Sequence, residues 1–106
     1  MVAPLKVGIA GLGTVGAEVV RLIESQSRAL SARCGRGVKV VAVSARSKVK
    51  KRGLDLRGID WARNPLALAN DPRIDCFVEL MGGAGEPALS AIEAALRNGK
   101  SVVTAN

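Results

Sequence analysis

The string Gly11-Leu12-Gly13-Thr14-Val15-Gly16 constrains this chain more than any other feature, because of what stands on either side of it. Before it, Lys6 to Ala10 (KVGIA) is a short apolar run that reads as a buried parallel strand, closed by Gly11. After it, Val15, Val19, Leu22 and Ile23 recur at the three-to-four interval of a helix starting at Thr14, with Glu18, Arg21, Glu24 and Gln26 facing away. G-x-G-x-x-G spacing is weak evidence alone; between a strand and an amphipathic helix it is strong. There Gly11 permits a tight turn, Gly13 lets an anion approach the backbone, and Gly16 lets the helix pack closely on the sheet. The first-turn N–H groups and the helix dipole then favour negative charge. The competing reading is a tight strand-to-helix turn that holds no ligand.

The helix is expected to run out between Ser31 and Gly35, with Gly35 and Gly37 supplying the stop and turn. Val38 to Ser44 (VKVVAVS) reads as a second buried strand, and Arg46 to Gly58 as a long basic loop without a clear period. Asn64 is an N-cap candidate before Pro65 and a short helix over Leu66 to Ala69, which Asp71-Pro72 ends. Asp75 to Leu80 (DCFVEL) is the next strand, followed by a flexible turn from Met81 to Gly85. Pro87 opens a helix with an apolar face of Leu89, Ile92, Ala95 and Leu96, ended by Asn98-Gly99, and Ser101 to Ala105 is a last strand. Strands alternating with helices predict an α/β fold, a Rossmann-type doubly wound parallel sheet with right-handed crossovers, as one domain over 1–106. Ending at the carboxyl edge of a core strand, the sheet reads as truncated and the chain as a fragment.

Composition narrows the partners. Val, Ile, Leu and Ala supply the core, and Trp61 and Phe77 are the only aromatic residues. The formal charge of +7 favours an anionic partner. Arg28, Arg33 and Arg36 are placed on or just beyond a polar helix end, while Arg46, Lys48, Lys50, Lys51 and Arg52 form the one real cluster. Charge alone leaves nucleic acid, a phosphorylated small molecule and a solvated loop open; scarce aromatics and no recognisable binding motif argue against nucleic acid. Cys34 and Cys76 are the only cysteines and there is no His, so neither a metal site nor a disulfide framework is expected, and Cys76 reads as a buried small hydrophobe. With no signal-like amino terminus and no run of membrane-spanning length, the expectation is a cytoplasmic protein with no membrane partner.

The end of the second strand speaks to the choice of cofactor. A site selecting NAD places an acid there for the ribose hydroxyls, whereas this chain reads Ser44-Ala45-Arg46-Ser47-Lys48. Arg46 can offer a forked, permanently charged donor to a 2′-phosphate, with Ser47 and Lys48 adding to it, so NADP is expected over NAD, with NAD possible. At the third strand end, Glu79 has no second carboxylate beside it in the pattern and reads as a hydrogen-bonding strand residue rather than a catalytic acid. Met81, Gly82 and Gly83 would let a nicotinamide ribose pass close to the backbone, and Thr104, Ala105 and Asn106 would line that end of the cleft or simply terminate the strand. The candidate cofactor-binding set is therefore Gly11, Leu12, Gly13, Thr14, Val15, Gly16, Ala45, Arg46, Ser47, Lys48, Met81, Gly82, Gly83, Thr104, Ala105 and Asn106. No catalytic residue is assigned.

Three motifs in order, KVGIAGLGTVG, DCFVELMGG and NGKSVVTAN, resemble the amino-terminal NAD(P)-binding domain of homoserine dehydrogenase. The resemblance is weakest over Ser44 to Ala69. It implies an oxidoreductase that reduces aspartate 4-semialdehyde to L-homoserine with NAD(P)H, in threonine and methionine biosynthesis. It also implies that Gly11, Gly13, Thr14 and Val15 hold the pyrophosphate. Arg46 and Lys48 would meet the 2′-phosphate, and Met81, Gly82, Thr104, Ala105 and Asn106 would border the nicotinamide. In that family a lysine normally follows the Thr-Ala-Asn run, and the catalytic Lys and Asp, the substrate-binding region and most of the homodimer interface lie further on. The small-molecule substrate and the homodimer are thus expected only of a full-length enzyme, with this piece alone inactive. The alternatives are the cofactor domain of a related dehydrogenase, such as aspartate dehydrogenase, or a non-catalytic nucleotide-binding module.

Overall fold

The predicted first strand, β1 (Leu5–Ala10), lies at the centre of a five-stranded, all-parallel sheet in the computed structural model, which describes residues 3–46, 56, 58–81 and 85–105. The other strands are β2 (Val38–Ser44), β3 (Asp60–Trp61), β4 (Cys76–Glu79) and β5 (Ser101–Thr104), in the order β3-β2-β1-β4-β5. Among the described residues four helices lie between them: α1 (Thr14–Ser25), α2 (Ser27–Cys34), α3 (Pro65–Ala69) and α4 (Ala88–Arg97). Strand order runs outward from β1 in one direction and then restarts on its other side at β4. Such a reversal opens a crevice at the carboxyl edge of an α/β sheet.

Alternation along β1 divides the core. Val7 and Ile9 join Val20, Val40, Val43 and Val78 on the α1 face. Ala10 joins Ala42, Leu68, Phe77 and Ala91 on the face covered by α3 and α4. Both faces of the central strands are buried, which explains their near-continuous apolar sequence.

Helix faces differ from the expectation in an instructive way. α1 buries Gly16, Ala17 and Val20, with Val19 and Ile23 half-buried, while Val15 and Leu22 are 58% and 57% exposed. α4 likewise buries Ala88, Ala91, Ala94 and Ala95 and turns Leu89 and Leu96 outward. Small residues let both helices sit close on the sheet, and close packing outweighs hydrophobicity in choosing the face. The expected single helix from Thr14 is also interrupted: Gln26 (φ −106°, ψ 18°) separates α1 from α2. The short β3 has no counterpart in the sequence reading. By contrast, α3 starts as expected, with Asn64 Oδ1 accepting from the Ala67 N–H at 2.7 Å and Pro65 in the first turn.

One buried cation was not anticipated. Lys100 is 9% exposed, and its Nζ donates to the carbonyls of Asp71 (2.7 Å) and Ile74 (2.9 Å). It thereby fastens the α3–β4 connection to the start of β5. Most of the expected basic loop (47–55 and 57, including Lys50, Lys51 and Arg52) lies outside the described residues. Among the described residues no helix is long and apolar enough to cross a membrane, and no cluster of metal-ligating side chains occurs.

Candidate functional site

Four strands end on one row. Ala10 pairs with Ser44 on one side and Glu79 on the other, and Glu79 pairs with Thr104. Parallel strands about 4.8 Å apart make this row roughly 14 Å long. The residues that follow each strand end therefore emerge side by side along the carboxyl edge.

Backbone demands explain the first connection. The Gly11 N–H donates to the Ser44 carbonyl at 2.9 Å, and Gly11 then turns with φ +102°, a conformation that L side chains rarely adopt. A Cβ there would lie 2.8 Å from the Leu80 carbonyl oxygen. At Gly16 a Cβ would lie 1.9 Å from the Gly11 carbonyl oxygen, so only glycine lets the helix turn back over β1. Gly13 is the N-cap of α1, with no side-chain cap, and a Cβ on it would meet nothing within 4 Å. Open space thus faces a helix start whose first N–H groups lack intrahelical partners, a geometry suited to a phosphate.

The other candidate residues divide by what they can offer. Leu12 is buried at 3% exposure in the α1-side core, so only its backbone can serve a ligand. Thr14 and Val15 are exposed on the first turn. Ala45 packs half-buried on the same core, and Arg46 is exposed just beyond the end of β2. Met81 is half-buried against the α4-side core, and Thr104 and Ala105 are exposed at the end of β5. Ser47, Lys48, Gly82, Gly83 and Asn106 lie outside the described residues. The structure thus brings the glycine turn, the Arg46 end of β2, Met81 and the Thr104–Ala105 end to one edge.

Glu79 is the buried acid of this edge, at 0% exposure. Its Oε1 accepts from the Met81 N–H at 2.8 Å and its Oε2 from the Thr104 hydroxyl at 2.6 Å. These bonds agree with the hydrogen-bonding role read from the sequence. Ser44, on the far side of Ala10 along the row, buries a hydroxyl at 1% exposure that has no hydrogen-bond partner among the described residues.

A parallel sheet reversing at β1, with an uncapped, glycine-lined helix start at the reversal, defines a Rossmann-type dinucleotide-binding domain. Comparison with known proteins makes this specific. The family model described as "Homoserine dehydrogenase, NAD binding domain" matches residues 11–106. Homoserine dehydrogenase of Pseudomonas aeruginosa is 42% identical over 106 residues, covering 97% of this chain and 23% of that protein. The crystal structure of a homoserine dehydrogenase from Thiobacillus denitrificans superposes with a TM-score of 0.86 at 40% identity, over 97% of this chain and 23% of the other. A biliverdin reductase from Synechocystis, solved with biliverdin and NADP+, matches at TM-score 0.72 and 25% identity, over 96% of this chain and 29% of the other. The chain belongs to the family of homoserine dehydrogenase NAD-binding domains, and it spans about a quarter of the length of the relatives it matches.

Proposed function

We propose that this domain holds NADP, in preference to NAD, for a homoserine dehydrogenase that reduces aspartate 4-semialdehyde to L-homoserine. The observation that carries the cofactor preference is the end of β2: Arg46 stands exposed where an NAD site would carry an acid, and Ser44 and Ala45 offer none. The turn from Gly11 to Gly16 takes the pyrophosphate on backbone N–H groups beyond that of Gly11, which is bonded to the Ser44 carbonyl. Arg46, with Ser47 and Lys48, takes the 2′-phosphate. Met81, Gly82, Gly83, Thr104, Ala105 and Asn106 border the nicotinamide. The NADP+ bound by the Synechocystis biliverdin reductase supports this reading, since that protein shares the fold at 25% identity.

Bound NADPH supplies the hydride. The part of the domain's own residues is to hold and orient the dinucleotide along the row of strand ends, so that one face of the nicotinamide meets the substrate. Glu79 has both oxygens engaged and is not the acid that protonates the product. Proton transfer and substrate binding belong to residues outside this domain, in a full-length homodimer.

Calorimetric titration with NADPH and NADH, on the wild type and on Arg46→Ala, tests the preference. A charge-assisted phosphate contact contributes roughly 1.5–3 kcal/mol, so NADPH is expected to bind about tenfold or more tightly than NADH. Arg46→Ala is expected to remove most of that gap. Equal binding of the two nucleotides by the wild type would overturn the NADP assignment and leave the dinucleotide fold intact.

A further inference from the structure

The buried carboxylate at the end of β4 does more than fill the sheet. Burying an acid is costly unless its oxygens are hydrogen-bonded, and an apolar residue would suit the α4-side core with less penalty. What this acid holds is specific. One oxygen takes the N–H of Met81, the other takes the hydroxyl proton of Thr104, and the Glu79 carbonyl accepts from the Ala105 N–H at 3.1 Å. All three partners belong to the proposed nicotinamide border, and none to the pyrophosphate or 2′-phosphate regions.

We infer that Glu79 is a positioning residue that fixes the nicotinamide end of the cleft by clamping the ends of β4 and β5. The inference rests on the cofactor reading above. Two consequences follow from donor–acceptor bookkeeping. The Met81 N–H is consumed inside the protein, so the backbone after β4 is held by its own sheet rather than by the cofactor. The Thr104 hydroxyl gives its proton to Glu79, so that proton is not available to the cofactor and the end of β5 is held to β4. Glu79→Gln keeps size and burial, but its amide NH2 can donate to Thr104 and turn that hydroxyl's own proton outward.

The test separates the two halves of the cofactor. Titrate the full chain, wild type, Glu79→Gln and Thr104→Val, with NADPH and with 2′-phospho-ADP-ribose, which lacks the nicotinamide. The clamp predicts that both variants lose about tenfold in NADPH affinity, the order expected for one charge-assisted bond. Both should hold 2′-phospho-ADP-ribose within about twofold of wild type, because the adenosine and pyrophosphate contacts lie elsewhere on the row. Equal weakening of both ligands would overturn the positioning role in favour of general stabilisation, and unchanged NADPH binding would overturn it outright. Should Glu79→Gln fail to fold, the exposed Thr104→Val decides the matter by the same comparison. If the folded wild type binds neither ligand, the cofactor reading itself falls, an outcome distinct from a wild type that binds while the variants fail to discriminate.

Discussion

Gly13 and Gly16 stand three residues apart in one motif, yet they answer to different physics, and alanine at each separates them. At Gly16 the new Cβ would lie 1.9 Å from the Gly11 carbonyl oxygen and 2.8 Å from its carbon. Both atoms are backbone, so the start of α1 has to lift off β1. Overpacking typically costs 1–3 kcal/mol, and a clash with backbone belongs at or above the top of that range, about 3 kcal/mol. For a domain of this size, that lowers Tm by roughly 12–24 °C. At Gly13 nothing lies within 4 Å, and φ −71° suits any residue. Replacing an N-cap glycine by alanine costs about 0.5–1 kcal/mol, while the stiffer unfolded chain returns about 0.4–1 kcal/mol. Stability should therefore stay within about 0.5 kcal/mol of wild type. The Gly13 Cβ instead fills the open space where a pyrophosphate would approach, so NADPH affinity should fall by about tenfold or more. Thermal unfolding by circular dichroism, paired with calorimetric titration, reads both quantities. A Gly13→Ala protein that binds NADPH like wild type, or a Gly16→Ala protein that melts like wild type, would refute the reasoning.

Three further outcomes follow from single contacts. Lys100→Met keeps the aliphatic stem but takes the ammonium donor from the Asp71 and Ile74 carbonyls, of which that of Asp71 keeps the Ile74 N–H, so urea unfolding should show a loss of roughly 1.5–3 kcal/mol; an unchanged midpoint would contradict this. Ser44→Ala removes a buried hydroxyl that has no partner among the described residues and should leave stability unchanged or raise it by up to about 1 kcal/mol, so a clear loss in the same assay would count against that environment. The Arg73 guanidinium, hydrogen-bonded to Asp71, holds that carboxyl below its usual range, against a smaller opposing effect of burial. A depressed folded-state value gives stability that is present above the unfolded pKa of about 4 and lost as pH falls through the folded value. Arg73→Ala should flatten that part of the acid-unfolding profile below about pH 4, and an unaltered profile would exclude the pair as its source.

The glycine motif was legible because it combines three signals that reinforce one another: a β-branched run, a turn only glycine can make, and a change of period. The α3 cap was legible for a similar reason, since Asn64 and Pro65 each act locally. What escaped was set by partners distant in sequence. Ala17 of α1 and Ala88, Ala91 and Ala94 of α4 face the sheet because they are small, and a hydrophobicity pattern ranks Leu22, Leu89 and Leu96 above them. The two residues of β3 are too short to form a period. Lys100 looks like one more surface cation until the fold brings two carbonyls to its ammonium across 26 and 29 positions of sequence. At the site, residue types pointed to the cleft edge, but not to the Glu79 bonds that join two strand ends there. A side-chain bond between Glu79 and Thr104 spans 25 positions and leaves no mark in either local pattern.

On the proposed reading, a dinucleotide lies along the row of strand ends, with its pyrophosphate over the turn into α1. Amide chemical shifts of the isotope-labelled protein, followed by NMR during titration with NADPH, test it most directly. The largest changes are expected on Gly11 to Gly16, Arg46, Met81, Thr104 and Ala105. Changes centred instead on Asn70, Asn98 and Lys100, at the opposite edge of the sheet, would contradict it, as would a folded protein whose spectrum NADPH leaves unaltered.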